Sequence, residues 1–431
     1  MTNKHNLSKP IIFSCFLAGC LEIYDFTIFG FLAPVLHKNY LSFMDAGTAT
    51  IVTYALFAVG FVFRPLGSIL FGYIGDKYGR KTALVISVSL MGTASLGMFM
   101  LPSYELLGIG ACYLIALIRI IQGISVGGEY SGAIIYAVEH FEKRNSGLVG
   151  SVVVAGCLCG VLLATLVSNV IKLPSMPDYS WRFAFLLGFL LSLIGYFIRK
   201  KLKETPEFLS LGRRAEGVPL FKGLKHYKAE AMATILLAAT NGVNLYYVVV
   251  YLPGYLNKTT GLDLWFLPII TTSILALFAP LFGWISDKVS RVKVVTFGVG
   301  AVAIYSFIML FLIETYSTIT GICLIFIIHA IIYSIQSGTM NTLVVELFPA
   351  QYRFSCSAFC YSIGMGVIGG TSPMIAASIA NKFNNVTLIL SCYISGIACL
   401  GFIAIWGVIF KKNASKYLVN KKKLFLNLKS I

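Results

Sequence analysis

Twelve apolar runs, each long enough to carry a helix of about 20 residues across about 30 Å of hydrocarbon, limit what this chain of 431 residues can become. They cover 11–35, 49–72, 82–101, 107–135, 147–170, 182–199, 230–256, 264–285, 293–313, 317–342, 354–380 and 386–410. Charged residues make up 12% of the chain, against about 25% in a soluble domain, and the mean hydropathy is +0.84. The fold expected is an all-α membrane protein with twelve transmembrane helices.

A net charge of +17 raises nucleic acid or an anionic surface as a partner, and the placement of the basic residues decides between that and membrane topology. With the N-terminus inside, 27 of the 34 Lys and Arg fall in cytoplasmic segments, nine of them between Arg199 and Lys228 and seven from Lys411 onward. The opposite side holds only Lys38, Lys172, Lys258 and Lys382. Both termini are expected in the cytoplasm, the membrane is expected to be a bacterial inner membrane, and no nucleic-acid partner is expected. All ten cysteines lie inside apolar spans without metal-ligand spacing, so they are read as packing residues and no metal site is expected. The first span carries Glu22 and Asp25, lacks an A-x-A cleavage site and is expected to be retained.

The longest polar interval, Arg199 to Glu230, divides the spans six and six. The organisation expected is an N-terminal six-helix bundle over 1–199, a cytoplasmic linker over 200–229, a C-terminal six-helix bundle over 230–410 and a basic cytoplasmic tail over 411–431. A charged stretch, GYIGDKYGRK from Gly72 to Lys81, joins spans two and three; a worn copy, GWISDKVSRVK from Gly283, joins spans eight and nine, 211 positions later. Equal placement in the two halves reads as a parallel repeat of the kind found in large secondary transporters.

A turn needed only to fix topology has no use for Asp76 or for Gly72, Gly75 and Gly79. Such glycines allow close backbone approach near a helix end, and Asp76 suits a helix N-terminus or a nearby Arg. The copy keeps Asp287 and Arg291 but carries Ser286 and Ser290 in place of two glycines. The first copy is therefore expected to control closure and the second to mark the turn.

An ionisable side chain inside the bilayer costs roughly 2.5–3.5 kcal/mol even on lenient insertion scales, and so marks a candidate functional site. LEIYDFTIFG puts Glu22 and Asp25 three residues apart, on one face of helix one near mid-membrane. RIIQGISVGGEYSGA puts Arg119 at similar depth in helix four, with Gln122 one turn on and Glu129 beyond it. Arg119 is the expected partner of Glu22 and Asp25. Two carboxylates facing one guanidinium leave one acid free to take and release a proton, as a proton-coupled carrier requires; the competing reading is a static ion network that fixes packing. Arg64 in FRPLG and Glu129 are placed toward the cytoplasmic ends of their spans, where both readings stay open.

The second half offers polarity without fixed charge. In span seven Asn241, Asn244, Tyr247 and Tyr251, spaced by three and four, form one stripe ending at Pro253; in span ten His329, Tyr333 and Gln336 repeat that spacing. Such stripes suit a small polar or zwitterionic solute, with aromatic faces available to a quaternary ammonium group. Packed, hydrogen-bonded positions are the alternative for His329 and for the aromatic stripe.

With these residues in place, the chain resembles the metabolite:proton symporter family of the major facilitator superfamily, whose members carry proline and betaine, 2-oxoglutarate, citrate or shikimate. The resemblance runs through LEIYDFTIFG (21–30), FRPLGSILFGYIGDKYGRK (63–81), RIIQGISVGGEYSGA (119–133), EHFEKRNSG (139–147), WRFAF (181–185), LKETPEF (202–208), YLPGYL (251–256), ELFPAQYR (346–353) and GGTSP (369–373). It implies the major facilitator fold, in which helices one, four, seven and ten line a central cavity that works by alternating access and proton import. It also implies a cytoplasmic latch containing Asp76 and Arg80; Arg64, Glu129, Glu346 and Arg353 are expected as supporting residues. Ile23 stands where the family usually has Trp, and Ala184 where WRxPF has Pro, which leaves the geometry at the start of helix six open. The short tail lacks the long heptad segment of the osmosensing proline/betaine carriers.

The function expected is secondary active transport: proton-coupled uptake of a small organic solute, a proline- or betaine-like zwitterion or an organic acid. The carrier is expected to act as a monomer and to need no cofactor beyond the proton gradient. Proton-driven efflux and a transporter-like receptor are the alternatives. Nothing in the sequence supports an enzyme: it has no His/Asp/Glu cluster with ligand spacing, no Ser/His/Asp set and no Walker-type phosphate loop.

Overall fold

The computed structural model describes residues 9–141, 145–210, 219–383 and 385–428. Hydrocarbon offers backbone polar groups no water, so they must bond one another, and among the described residues the chain does this with helices alone. Helix α1 runs over Lys9–Phe31 and continues, after a bend of 53°, as Ala33–Tyr40. Pro34, in the first turn of the second piece, cannot continue the earlier hydrogen-bond ladder. Helix α2 comprises Ala46–Val62 and Arg64–Lys77, α3 is Arg80–Phe99, α4 Gly110–His140, α5 Ser146–Ile171 and α6 Trp181–Lys200. Helix α7 passes through Lys228–Leu245, a wide π-helical turn at Tyr246–Tyr251, and Leu252–Thr260. Helices α8 (Leu267–Lys288), α9 (Arg291–Thr315) and α10 (Ile319–Glu346) follow. Helix α11 joins Ala350–Tyr361, a second wide turn at Ser362–Gly369 and Ser372–Lys382, and α12 is Val386–Leu428. With the bent α1 taken as one span, twelve helices among the described residues are long and apolar enough to cross a membrane.

Two short helices, Pro206–Ser210 and Pro219–His226, occupy the interval expected as a linker, whose residues 211–218 lie outside those described. The backbone of α12 stays helical into the expected tail as far as Leu428, and the side chains of that stretch lie outside the described residues.

The packing repeats with the helices. Helix α1 lies against α5 and α6, α2 against α4, and α3 against α4 and α6. Six helices on, α7 lies against α11 and α12, α8 against α10, and α9 against α10 and α12. The result is two six-helix bundles that meet mainly where α2 packs on α11 and α5 on α8. Approach there is close: a Cβ added to Gly72 would lie 2.9 Å from the Cα of Ser355. Gly79, in the turn from α2 to α3, has a φ of 111°, a conformation open to glycine and strained for other residues.

Both charged stretches bridge the bundles. Asp76 accepts from the N–H of Ser355 at 3.2 Å and from its hydroxyl at 2.6 Å. Arg80 lies 3.3 Å from Asp76 and 3.3 Å from Glu139 at the end of α4, and donates to the carbonyl of Ala350 at 3.3 Å. Arg353 pairs with Glu139 at 3.3 Å and with Glu207. In the second stretch Asp287 accepts from the N–H groups of Gly147 and Leu148, each at 2.9 Å. These are free donors in the first turn of α5, where a negative charge is also favoured by the helix dipole. Arg291 lies 2.7 Å from Asp287 and 3.4 Å from Glu346. The second copy therefore does more than mark a turn. Its bond to α5 depends on the Asp carboxylate, which survives, and not on the glycines that were replaced.

At the end of α2 away from this latch, Asp45 caps the helix by accepting from the Thr48 N–H at 2.9 Å. That bond holds its carboxyl below the usual carboxylate range, so the cap is in place at neutral pH and is lost as pH falls through the depressed value.

Asp287→Ala should lower the thermal unfolding midpoint of the purified protein by an amount matching about 0.5–2 kcal/mol for a lost cap, and Asp76→Ala by an amount matching about 1.5–3 kcal/mol for lost hydrogen bonds to a charged group. A silent Asp287→Ala would contradict the engagement of the second copy.

Candidate functional site

Between the bundles lies a cavity of about 30 Å³, above the roughly 10–15 Å³ needed to hold one water molecule. Its polar walls are Thr27 of α1, Arg64 of α2, Tyr130 of α4, Asn241 and Tyr246 of α7, Tyr333 and Ser337 of α10, and Tyr361 of α11. Cross-bundle contacts seal it on both sides. Toward the latch, Tyr130 stacks on Tyr361 with ring centroids 5.0 Å apart, and the hydroxyls of Ser68 and Ser362 bond at 2.5 Å. Toward the opposite end, Tyr54 of α2 meets Tyr251 of α7 edge to face at 6.0 Å. A solute larger than water enters only when one of these seals parts.

The charges of the N-terminal bundle are arranged differently from the sequence expectation. Asp25 is buried and accepts a hydrogen bond from the hydroxyl of Ser95 in α3; its other oxygen lies beside Gly188 of α6. Arg119 forms no ion pair with it. The guanidinium donates to the carbonyls of Phe26 and Phe57 at 3.4 and 3.2 Å and to the Gln122 side chain at 3.0 Å. It also sits over the rings of Phe26 and Phe29, 4.4 and 4.5 Å from their centres. Gln122 in turn donates to Ser95 at 3.4 Å. Asp25 and Arg119 are thus joined through Ser95 and Gln122, because Asp25 faces α3 and α6 whereas Arg119 faces the junction of α1 and α2. The side chain of Glu22 lies outside the described residues.

Glu129 pairs with Arg199 of α6, both buried, so the residue read as the start of the cytoplasmic basic segment is a membrane-embedded partner instead. Arg64 is deeper than expected. Helix α2 extends to Lys77, which places residue 64 near mid-helix, and the break after Val62 turns its side chain into the cavity.

In the C-terminal bundle the expected stripes are only partly brought together. Asn241 and Tyr333 meet at the cavity, where the Tyr333 hydroxyl donates to the Asn241 carbonyl at 2.8 Å and to its side chain at 2.9 Å. Asn244 points away, bonded to Ser306 of α9 and to His329 at 3.1 Å each. Tyr247 and Tyr251 belong to a separate apolar cluster toward the end opposite the latch, and Gln336 packs beside Gly298 of α9. Asn244, Tyr247, Tyr251, His329 and Gln336 therefore lie outside the cavity walls, and His329 takes the packed, hydrogen-bonded reading. For Tyr247 and Tyr251 the cause is the wide turn at Tyr246–Tyr251, whose extra residue shifts the register of α7 and presents Tyr246 instead of Tyr247. Pro253 follows that turn and cannot donate to the Val249 carbonyl.

Sequence reasoning missed Ser95, Tyr130, Tyr246 and Tyr361 at the centre, and Glu139 and Glu207 in the latch. The first four are neutral residues within apolar runs, where only the helix register distinguishes a cavity wall from packing. Glu139 and Glu207 fall in the quoted stretches EHFEKRNSG and LKETPEF, but the Arg353 they share comes from a helix more than a hundred residues away.

The profile of the Major Facilitator Superfamily matches residues 15–361. The chain is 32% identical over 430 residues to the glycine betaine/proline/ectoine/pipecolic acid transporter OusA of Dickeya dadantii, an alignment covering 95% of this chain and 84% of OusA. It is 31% identical over 433 residues to the proline/betaine transporter of Escherichia coli, covering 95% and 85% of the two chains. Among solved structures, the proton:xylose symporter XylE superposes with a TM-score of 0.75 at 17% identity, covering 92% of this chain and 95% of XylE, a likeness of fold. Given a match over most of its length and relatives that are transporters, this chain belongs to the Major Facilitator Superfamily and is a membrane transporter, not an enzyme.

Proposed function

We propose that this transporter carries out proton-coupled uptake of a small organic solute, a proline- or betaine-like zwitterion or an organic acid, by alternating access. The observation that carries the reading is the bonded chain Asp25–Ser95–Gln122–Arg119. Asp25 has no ion-pair partner among the described residues, yet it is tied to a guanidinium that itself holds the backbones of α1 and α2. Protonation of Asp25 weakens its hold on the Ser95 hydroxyl, frees Gln122 and loosens the grip of Arg119 on the two helices beside the cavity. Proton occupancy and the packing of the cavity wall are then one linked equilibrium.

The sealed cavity supports alternating access. Opening toward the latch requires parting Tyr130 from Tyr361 and releasing the hydrogen bonds that Asp76 and Asp287 accept across the bundles; opening the other way requires parting Tyr54 from Tyr251. The bias of Lys and Arg puts the latch end and both termini in the cytoplasm of a bacterial inner membrane. One chain encloses the cavity, so a monomer suffices, and the proton gradient takes the place of a cofactor. The names of the relatives supply the first solutes to try, proline and glycine betaine.

Right-side-out vesicles carrying the protein should accumulate labelled proline or glycine betaine when an inside-alkaline gradient is imposed. Gradient-driven loss of preloaded solute would contradict uptake and identify an efflux carrier. Asp25→Asn should abolish that accumulation while solute exchange and the gel-filtration profile persist; unchanged accumulation would remove Asp25 from coupling. Gln122→Ala should lower accumulation about tenfold, in line with loss of a hydrogen bond to a charged group, and normal accumulation would break the proposed chain.

A further inference from the structure

We propose that Arg64 is the carboxylate anchor of the central cavity, which thereby selects a solute with one carboxylate and an alkylated ammonium group. The inference deepens the reading above and rests on it in taking this cavity as the solute site.

Arg64 is 2% exposed, forms part of the cavity wall and has no carboxylate partner among the described residues; its Nε has no hydrogen-bond partner. A buried charge without a counter-ion is expensive, and a guanidinium offers a planar fork that matches a carboxylate. Arg119 is no competitor, because it is not part of the cavity wall and its terminal nitrogens are held by Phe26, Phe57 and Gln122.

The rest of the wall sets the other end of the solute. Among the described residues it contains neither a second cation nor an acid. A dicarboxylate would leave one charge buried and unpaired. A primary ammonium would bring three N–H donors to a site with no carboxylate to receive them. The phenol rings of Tyr130, Tyr246, Tyr333 and Tyr361 instead offer π faces, which attract an ammonium without needing its N–H groups. Full alkylation of the nitrogen is favoured, a ring secondary amine is next, and a primary amine is least suited.

Binding to purified protein in detergent, with no gradient, tests this with four probes: trimethylglycine, choline, glycine and succinate. Wild-type protein should bind trimethylglycine at least tenfold more tightly than the other three. Choline has the same cationic head without the carboxylate, glycine the same carboxylate with a primary ammonium, and succinate a second carboxylate. Arg64→Gln should lose at least tenfold in affinity for trimethylglycine, and Arg64→Lys, which keeps the charge but not the fork, should fall between. Wild-type affinity in Arg64→Gln, equal binding of choline or succinate, or no binding of trimethylglycine to wild-type protein would overturn the proposal. If Arg64→Gln fails to fold, Arg64→Lys and the four probes on wild-type protein still decide. Because no gradient is present, failed proton coupling with intact binding would overturn the uptake reading and leave the anchor standing.

Discussion

Hydrocarbon forces every charge and every backbone polar group to find its partner inside the protein, and the placement of charge here follows from that constraint. Where charges are structural they are paired: Glu129 with Arg199 inside one bundle, and Asp76, Arg80, Glu139 and Arg353 across the two. Asp25, Arg119 and Arg64 are buried without an ion-pair partner among the described residues; Arg64 lines the cavity between the bundles, whereas Asp25 and Arg119 are held by groups of the N-terminal bundle. A charge in such a place is costly, and Asp25 and Arg119 offset the cost through hydrogen bonds to neutral groups.

The doubled chain meets the same constraint by repetition. At each of the two contacts between bundles a carboxylate at the end of one helix accepts from backbone N–H groups in a helix of the other bundle: Asp76 from α11, Asp287 from α5. These bonds are short-range and directional, so they hold when the bundles touch and vanish when they separate. Small residues at the contact bring the backbones close enough for the bonds to form. A latch of this kind is suited to a gate, since its contacts are gained or lost together.

The number of spans, their division into two sets and the positions of the charged stretches were legible because hydrophobic length and charge are written directly in the sequence. So were the intramembrane ionisable residues, which stand out against apolar neighbours. What the sequence could not show was direction. Tyr247 and Tyr251 follow a regular α-helical spacing, but the wide turn at Tyr246–Tyr251 rotates them off the cavity, and no composition rule marks a π-helical turn. Arg119 and Asp25 share a depth but face different neighbours, so depth alone suggested a contact that Ser95 and Gln122 actually mediate. Arg64 looked peripheral because the apolar run ends at Gly72, whereas the helix continues to Lys77.

The central claim is that solute and proton cross together. It is tested most directly by adding solute to de-energised vesicles that contain the protein and following external pH in weakly buffered medium. Coupled uptake is expected to make the medium more alkaline as solute enters, with an extent that scales with the solute taken up and disappears in Asp25→Asn. Solute influx with no change in pH would contradict it.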